Sequence, residues 1–137
     1  MNQQLEQLRL QLINRPQEEC WALYLNSQME AVGEACIAKG SLVSVVIHPR
    51  DVFRNAVALN AYSVLLLHNH PSGNILPSQA DMQVARQLVV CGQFMQIHLQ
   101  DFMIVTRKGY YSFVEQDKLP RCDLKTISEI WTFEANL

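Results

Sequence analysis

An apolar run, Val64-Leu65-Leu66-Leu67, ends at His68 and His70. On a strand, a spacing of two residues turns both imidazoles to the same face, and two imidazoles on one face are half of a metal site. Pro71, Gly73 and Pro77 force the next residues into a loop. Ser78 then opens a segment of helical character with Asp81 in its first turn. Strand end, loop and helix start thus offer two nitrogens and one carboxylate oxygen, which suits a divalent ion with an open fourth position. Taken singly, each feature is ordinary: histidines at strand ends are usually core or edge residues, and Ser78 with Asp81 reads as a helix N-cap paired with an acid at its third residue. Together they call for a cation, because two imidazoles buried beside an acid at the end of an apolar strand are costly without a partner.

Three ligands, His68, His70 and Asp81, leave one tetrahedral position for water, the pattern of a catalytic rather than a structural zinc (Zn2+) site. Mixed nitrogen and oxygen ligation suits zinc best and also accepts other first-row metals. Amide hydrolysis needs in addition a group that takes the water's proton and passes it to the leaving amine; a carboxylate within hydrogen-bond reach of the water but off the metal fits that task. Ser78 is expected to donate a hydrogen bond toward the water or the developing oxyanion, a contribution of about 3 kcal/mol in other hydrolases. No third residue with triad logic makes it a nucleophile.

His68-x-His70-Pro71 followed by Ser78-x-x-Asp81 resembles the metal-binding motif of JAMM (MPN+) domain metalloproteins, and the whole stretch from His68 to Asp81 is similar to the RadC group of bacterial proteins within that superfamily. Leu25-Asn26-Ser27-Gln28, Lys39-Gly40-Ser41, His48-Pro49-Arg50-Asp51-Val52, Asn60-Ala61, Asp101 and Ser112-Phe113 extend the resemblance over about residues 16 to 115. His68-Asn69-His70 is not an HNH nuclease signature, whose name describes residues scattered over a larger motif. The resemblance implies a mixed, curved sheet with helices on its sides, related to the cytidine deaminase fold, and a zinc-dependent hydrolase acting on a peptide or isopeptide bond. It also implies a base glutamate on a strand well ahead of the histidines. Glu18 and Glu19 both stand there, but neighbours on a strand face opposite sides, so only one can point at the metal. Matching the strand to its Leu25-Asn26 end in the RadC pattern selects Glu18 as the catalytic base; a one-residue slip would exchange it for Glu19. Phe102 stands where RadC-like sequences usually show a histidine, which removes a polar group from the expected surroundings of the site.

A second function is a metal-bearing module with little or no turnover, acting in DNA repair, recombination or mobile-element biology as the RadC name suggests. Full-length RadC-like proteins are expected to carry a helical domain ahead of this one, and Met1 to Asn14 is too short to be a DNA-binding module. A deaminase shares the ligand chemistry but depends on a P-C-x-x-C cysteine pair that the chain lacks.

Composition narrows the partners. With 137 residues, 49% of them apolar and 18% charged, the chain reads as a single globular domain. A net charge of -2 does not support binding through nucleic acid phosphates. The small cationic groups, Arg107-Lys108 and Arg121 with Lys125, read as solvated turn charges. The resemblance implies a peptide or protein conjugate as substrate, and the family name alone implies nucleic acid. Cys20, Cys36, Cys91 and Cys122 form no C-x-x-C pair. No secretory signal precedes them, so they read as reduced, buried residues of a cytoplasmic protein. No apolar run is long enough to cross a bilayer, which argues against a membrane partner, and nothing in the sequence sets the oligomeric state.

The elements that must position these groups follow from periodicity. Residues 1–15 read as an N-terminal helix with Leu5, Leu8, Leu12 and Ile13 on one face, 16–119 as a RadC-like JAMM/MPN domain and 120–137 as a C-terminal extension. Strands are expected over Glu18 to Leu25, Glu30 to Ala38, Leu42 to Ile47, Ser63 to His68, Phe94 to His98, Phe102 to Thr106 and Tyr110 to Val114. Helices are expected near Arg50 to Asn60, over Ser78 to Cys91 with Gly92 as the stop, and over Leu124 to Phe133. Interleaved helices and strands with hairpins at both ends indicate an α/β sandwich around a mixed sheet rather than a doubly wound parallel one.

Overall fold

The computed structural model describes residues 3–42, 47–125 and 127–129. In chain order the elements are α1 (Gln3–Leu12), β1 (Glu19–Leu25), β2 (Ala31–Lys39), α2 (Pro49–Ala58), β3 (Ser63–Asn69), α3 (Gln79–Met95), β4 (His98–Val105) and β5 (Tyr110–Ser112). The five strands form one sheet in the order β2-β1-β3-β4-β5, in which only β3 and β4 run parallel. Parallel neighbours need a long crossover, and α3 supplies it. The result is the mixed open sheet with flanking helices that the alternating pattern indicated.

The central strand explains the layering. All seven residues of β3 are buried, so the strand must be apolar on both faces, as Val64 to Leu67 are. On one face Cys20, Ala22 and Tyr24 of β1, Val64 and Leu66 of β3, and Phe102 and Ile104 of β4 pack under Val52, Phe53 and Ala56 of α2 and Val84, Ala85 and Leu88 of α3. The Tyr24 hydroxyl donates to the Val52 carbonyl at 2.6 Å and ties α2 to the sheet. On the other face Leu23, Leu25, Leu65, Leu67, Met103 and Val105 are covered by Leu5, Leu8 and Leu12 of α1. Those leucines recur at i, i+3 and i+7, so a single stripe of α1 closes the second layer.

Two boundaries differ from expectation for a common reason. Gly92 does not stop α3: the helix runs on through Phe94 and Met95, residues read above as the start of a strand, and ends at Gln96 in the left-handed region (φ 56°). A Cβ at Gly92 would stand 2.4 Å from the Ile97 carbonyl oxygen, so this glycine serves a close backbone approach rather than a cap. The strand then begins at His98 and runs unbroken to Val105, merging what read as two strands. Phe94, 75% exposed, lies outside the core. Residues 43–46 of the expected Leu42 to Ile47 strand lie outside the described residues, as do Met1 and Asn2 of the first helix. In the tail, 124–125 and 127–129 are helical and the remainder of the expected Leu124 to Phe133 helix is likewise outside. Among the described residues no helix is long and apolar enough to cross a membrane.

If α1 is an integral layer, Leu8→Ala will lower the unfolding free energy by about 2–5 kcal/mol in urea titrations, the cost of a core cavity. Leu10→Ala on the solvent face of the same helix will change it by less than about 0.5 kcal/mol. The contrast rests on exposures of 1% for Leu8 and 47% for Leu10.

Candidate metal centre

Sheet register brings the charged groups together. β1 and β3 are antiparallel with Cys20 opposite His68. Residues of even number on both strands therefore share a face, and that parity carries Glu18, His68 and His70 to one place. Each of the three brings a ligand-type atom to within 4.8 Å of those of the other two. Glu18 lies just ahead of β1, half-buried, with its carbonyl accepting the Gly40 N–H at 2.7 Å. Glu19 takes the other side of the strand. It is buried, its Oε1 accepts the Trp21 indole N–H at 2.9 Å, and its Oε2 is 3.9 Å from Arg15 Nε. Neither glutamate is thus a freely solvated edge charge.

Asn69, between the two histidines, holds Glu18 in position. Its Oδ1 accepts the Glu19 N–H at 2.6 Å and its Nδ2 donates to the Gln17 carbonyl at 3.0 Å, so the backbone on both sides of Glu18 is fastened to the end of β3.

Asp81 arrives from the first turn of α3. The Ser78 hydroxyl accepts the Asp81 N–H at 3.0 Å, and the Ser78 N–H donates to Asp81 Oδ2 at 2.8 Å, a reciprocal capping box. The fully buried Asp81 carboxylate also stands 2.8 Å (Oδ1) from His68 Nδ1 and 3.2 Å (Oδ2) from His70 Nε2. Burial opposes its charge, but hydrogen bonds to His68 and His70, the charge on His68 and the Ser78 N–H outweigh that and hold the carboxyl well below the usual range. His70 is also disfavoured as a cation by burial, yet Asp81, the Asn74 carbonyl and the Glu18 charge raise its pKa.

The proton positions show what the cluster lacks. His70 Nδ1 is 2.8 Å from the Asn74 carbonyl oxygen, which can only accept, so Nδ1 carries the hydrogen. His68 Nδ1 likewise donates to the ionised Asp81. In its neutral form each ring then presents a bare Nε2 atom. His68 Nε2 is buried without a hydrogen-bond partner among the described residues, and His70 Nε2 faces Asp81 Oδ2, acceptor against acceptor, unless a proton or a metal ion intervenes. Ligands on a tetrahedral zinc, with bonds of about 2.0–2.1 Å, lie roughly 3.3 Å apart. The 3.2 Å between His70 Nε2 and Asp81 Oδ2 is close to that spacing for this one pair, but the three groups whose ligand-type atoms all converge within 4.8 Å are Glu18, His68 and His70, and Asp81, expected from the sequence as the third ligand, is not one of them.

Other sequence candidates fall elsewhere. His48 is exposed at the N-cap of α2, and His98 is exposed at the start of β4, edge-on to Tyr62 at 5.9 Å, neither in the core nor at the site. Phe102 is buried against Phe113 and pairs with Leu66, while His68 pairs with Ile104, so Phe102 belongs to the core rather than to the ligand cluster. All four cysteines are free, but only Cys20 is buried and Cys36 is exposed, contrary to the expectation of four buried thiols. The Asn74 carbonyl, which orients His70, was missed because a backbone acceptor leaves no mark in residue type; the turn residues Pro71 and Gly73 were its only signal.

Residues 1–119 match the family model described as RadC-like JAB domain. The chain is 39% identical over 112 residues to the UPF0758 protein YfjY of Escherichia coli K12, a match covering 82% of this chain and 70% of that protein. It is 38% identical over 102 residues to a UPF0758 protein of Chlorobium chlorochromatii, covering 74% and 46%. A UPF0758 protein of Enterococcus faecalis is 39% identical over 117 residues, covering 85% and 50%. The chain thus spans about half the length of the latter two relatives.

Elemental analysis of protein purified without chelator is expected to find roughly one equivalent of zinc per chain. His68→Ala and His70→Ala will each lose most of it, whereas His98→Ala will retain it. Equal metal content in all four proteins would rule out this centre.

Proposed function

The chain belongs to the RadC-like JAB domain family, and on that premise we propose that it is a zinc-dependent metallohydrolase that cleaves a peptide or isopeptide bond. The observation that supports this reading best is the convergence of Glu18, His68 and His70 within 4.8 Å, beside a buried imidazole nitrogen that no group among the described residues satisfies.

In this reading His68, His70 and Asp81 hold the ion. When bound, zinc supplies a Lewis acid that polarises a carbonyl and lowers the pKa of water to about 7. Glu18 is the base: half-buried at the head of β1 and held by the Asn69 clamp, it takes a proton from the attacking water and returns it to the departing amine. Ser78 lies exposed at the rim, and its oxygen already accepts the Asp81 N–H, so the hydroxyl hydrogen is free to point outward to the developing oxyanion. Free thiols at all four cysteines support a reducing, cytoplasmic setting.

The decisive comparison is wild type against Glu18→Gln, both zinc-loaded, on a panel of peptides and isopeptide-linked protein conjugates. Turnover is expected to fall about 10²–10⁴-fold in the variant, the usual worth of a positioned general base, with metal content unchanged. Loss of the metal together with the activity would make Glu18 a ligand instead of a base. Identical behaviour of the two proteins across the panel would leave a non-catalytic metal-bearing module as the surviving reading.

A further inference from the structure

Beside the metal centre a cavity of about 410 Å³ opens between the α1–β1 connection, the turn after His70 and the β4–β5 hairpin. Three cationic side chains, Arg15, Arg107 and Lys108, line it, and among the described residues no acidic side chain does. In a protein of net charge -2 that is a local reversal of sign. Arg107 and Lys108, read from the sequence as solvated turn charges, are exposed in the β4–β5 turn, and the fold brings the exposed Arg15 to the same hollow.

The cations are held in place. Thr106 is buried, its Oγ1 accepts the N–H groups of Lys108 and Gly109, both at 3.1 Å, and its hydroxyl donates to the Gly109 carbonyl at 3.0 Å, which fastens the hairpin that carries Arg107 and Lys108. Gly73, in the turn after His70, has φ +87°, and a Cβ there would touch Lys108 Cδ and Cε at 3.4 Å. The end of the Lys108 side chain therefore lies along the turn that follows His70. Arg15 is only 3.9 Å at its closest from Glu19, whose other oxygen is engaged by Trp21, so most of its five donors remain available to a ligand.

We propose that this cavity is a substrate subsite that binds a carboxylate of the peptide beside the scissile bond, through Arg15, Arg107 and Lys108. The proposal rests on the peptidase reading of the neighbouring centre, with which the cavity shares His70. Guanidinium groups match carboxylates in bidentate geometry, and cations in a partly enclosed hollow concentrate their field on whatever enters. A nucleic acid strand is the poorer match: grooves for it track the backbone with a stripe of cations and stack bases on aromatic rings, whereas these cations surround one compact hollow and no Phe, Tyr or Trp lines it. The carboxylate can come from an acidic side chain or from a chain terminus.

Binding is measured by fluorescence anisotropy on zinc-loaded protein carrying Glu18→Gln, so that the outcome does not depend on turnover. The probes are rhodamine-labelled glycine pentapeptides: one with a central glutamate and an amidated end, one with a central glutamine and an amidated end, and one with glutamine and a free terminal carboxylate. At least one carboxylate probe is expected to bind roughly tenfold more tightly than the neutral one, and which of the two does so identifies the source. Arg107→Glu/Lys108→Glu, and separately Arg15→Gln, will abolish the preference while leaving the thermal midpoint and zinc content at wild-type values. Equal binding of all three probes, a preference that survives the charge reversal, or displacement of the peptide by a single-stranded oligonucleotide at lower concentration would each overturn the proposal. If no peptide is hydrolysed but the carboxylate preference and its loss in the variants are seen, the subsite stands and the catalytic reading alone fails.

Discussion

A single buried carboxylate joins the fold to its candidate chemistry. Asp81 is an acid with no solvent exposure, and removing such a charge from water costs several kcal/mol unless donors surround it. The fold supplies them: His68 Nδ1, the Ser78 N–H and the positive end of α3. Each comes from an element that must be correctly placed for the charge to be tolerable. The end of β3 and the start of α3 are therefore locked to one another through the same oxygens that face the candidate ion. The pressure to satisfy a buried charge and the need to assemble a metal centre act on the same atoms.

The sheet provides the second constraint. Side chains alternate along a strand, so the antiparallel pairing of β1 with β3 decides which of two adjacent glutamates meets the imidazoles. Cys20 opposite His68 puts Glu18 there and sends Glu19 to Trp21 and Arg15 on the reverse side. A slip of one residue would exchange them. Asn69 opposes that slip, because its side chain bonds Gln17 and Glu19 and can satisfy both groups in only one register. Burial of β3 on both faces adds to the fixation, since α1 on one side and α2 with α3 on the other leave no alternative packing for Leu65, Leu66 and Leu67.

Local patterns were legible in the sequence and non-local ones were not. The two histidines at strand spacing, the turn residues after them and the Ser78–Asp81 cap are each written within a few residues, and the structure shows all of them. The end of α3 was misread because glycine at position 92 has two meanings, a stop or a close approach, and only the Ile97 carbonyl from beyond the helix decides between them. The gap expected before Phe102 came from the polar Gln100-Asp101. In the fold Asp101 is satisfied by the Ser112 hydroxyl and by the N–H groups of Phe102 and Val114, so the strand continues past a one-residue register shift at Gln100 instead of ending there. The cationic cavity was invisible for the same reason: its third charge comes from the far end of the chain.

Without an ion, this arrangement carries a defect of its own. His68 Nε2 is buried and unpaired, and His70 Nε2 opposes an ionised oxygen at 3.2 Å. A proton on His70 relieves the second defect, which accounts for the upward shift of that imidazole, but it cannot reach the first. A metal ion bound there would relieve both with one particle, and its uptake would then be linked to native stability. The defect also explains why the surroundings are built so firmly. The Asn69 bonds, the capping box and the Asn74 carbonyl all hold polar groups in an arrangement that the apolar core alone would not favour, and they keep the ligand atoms from relaxing into satisfied but inert contacts.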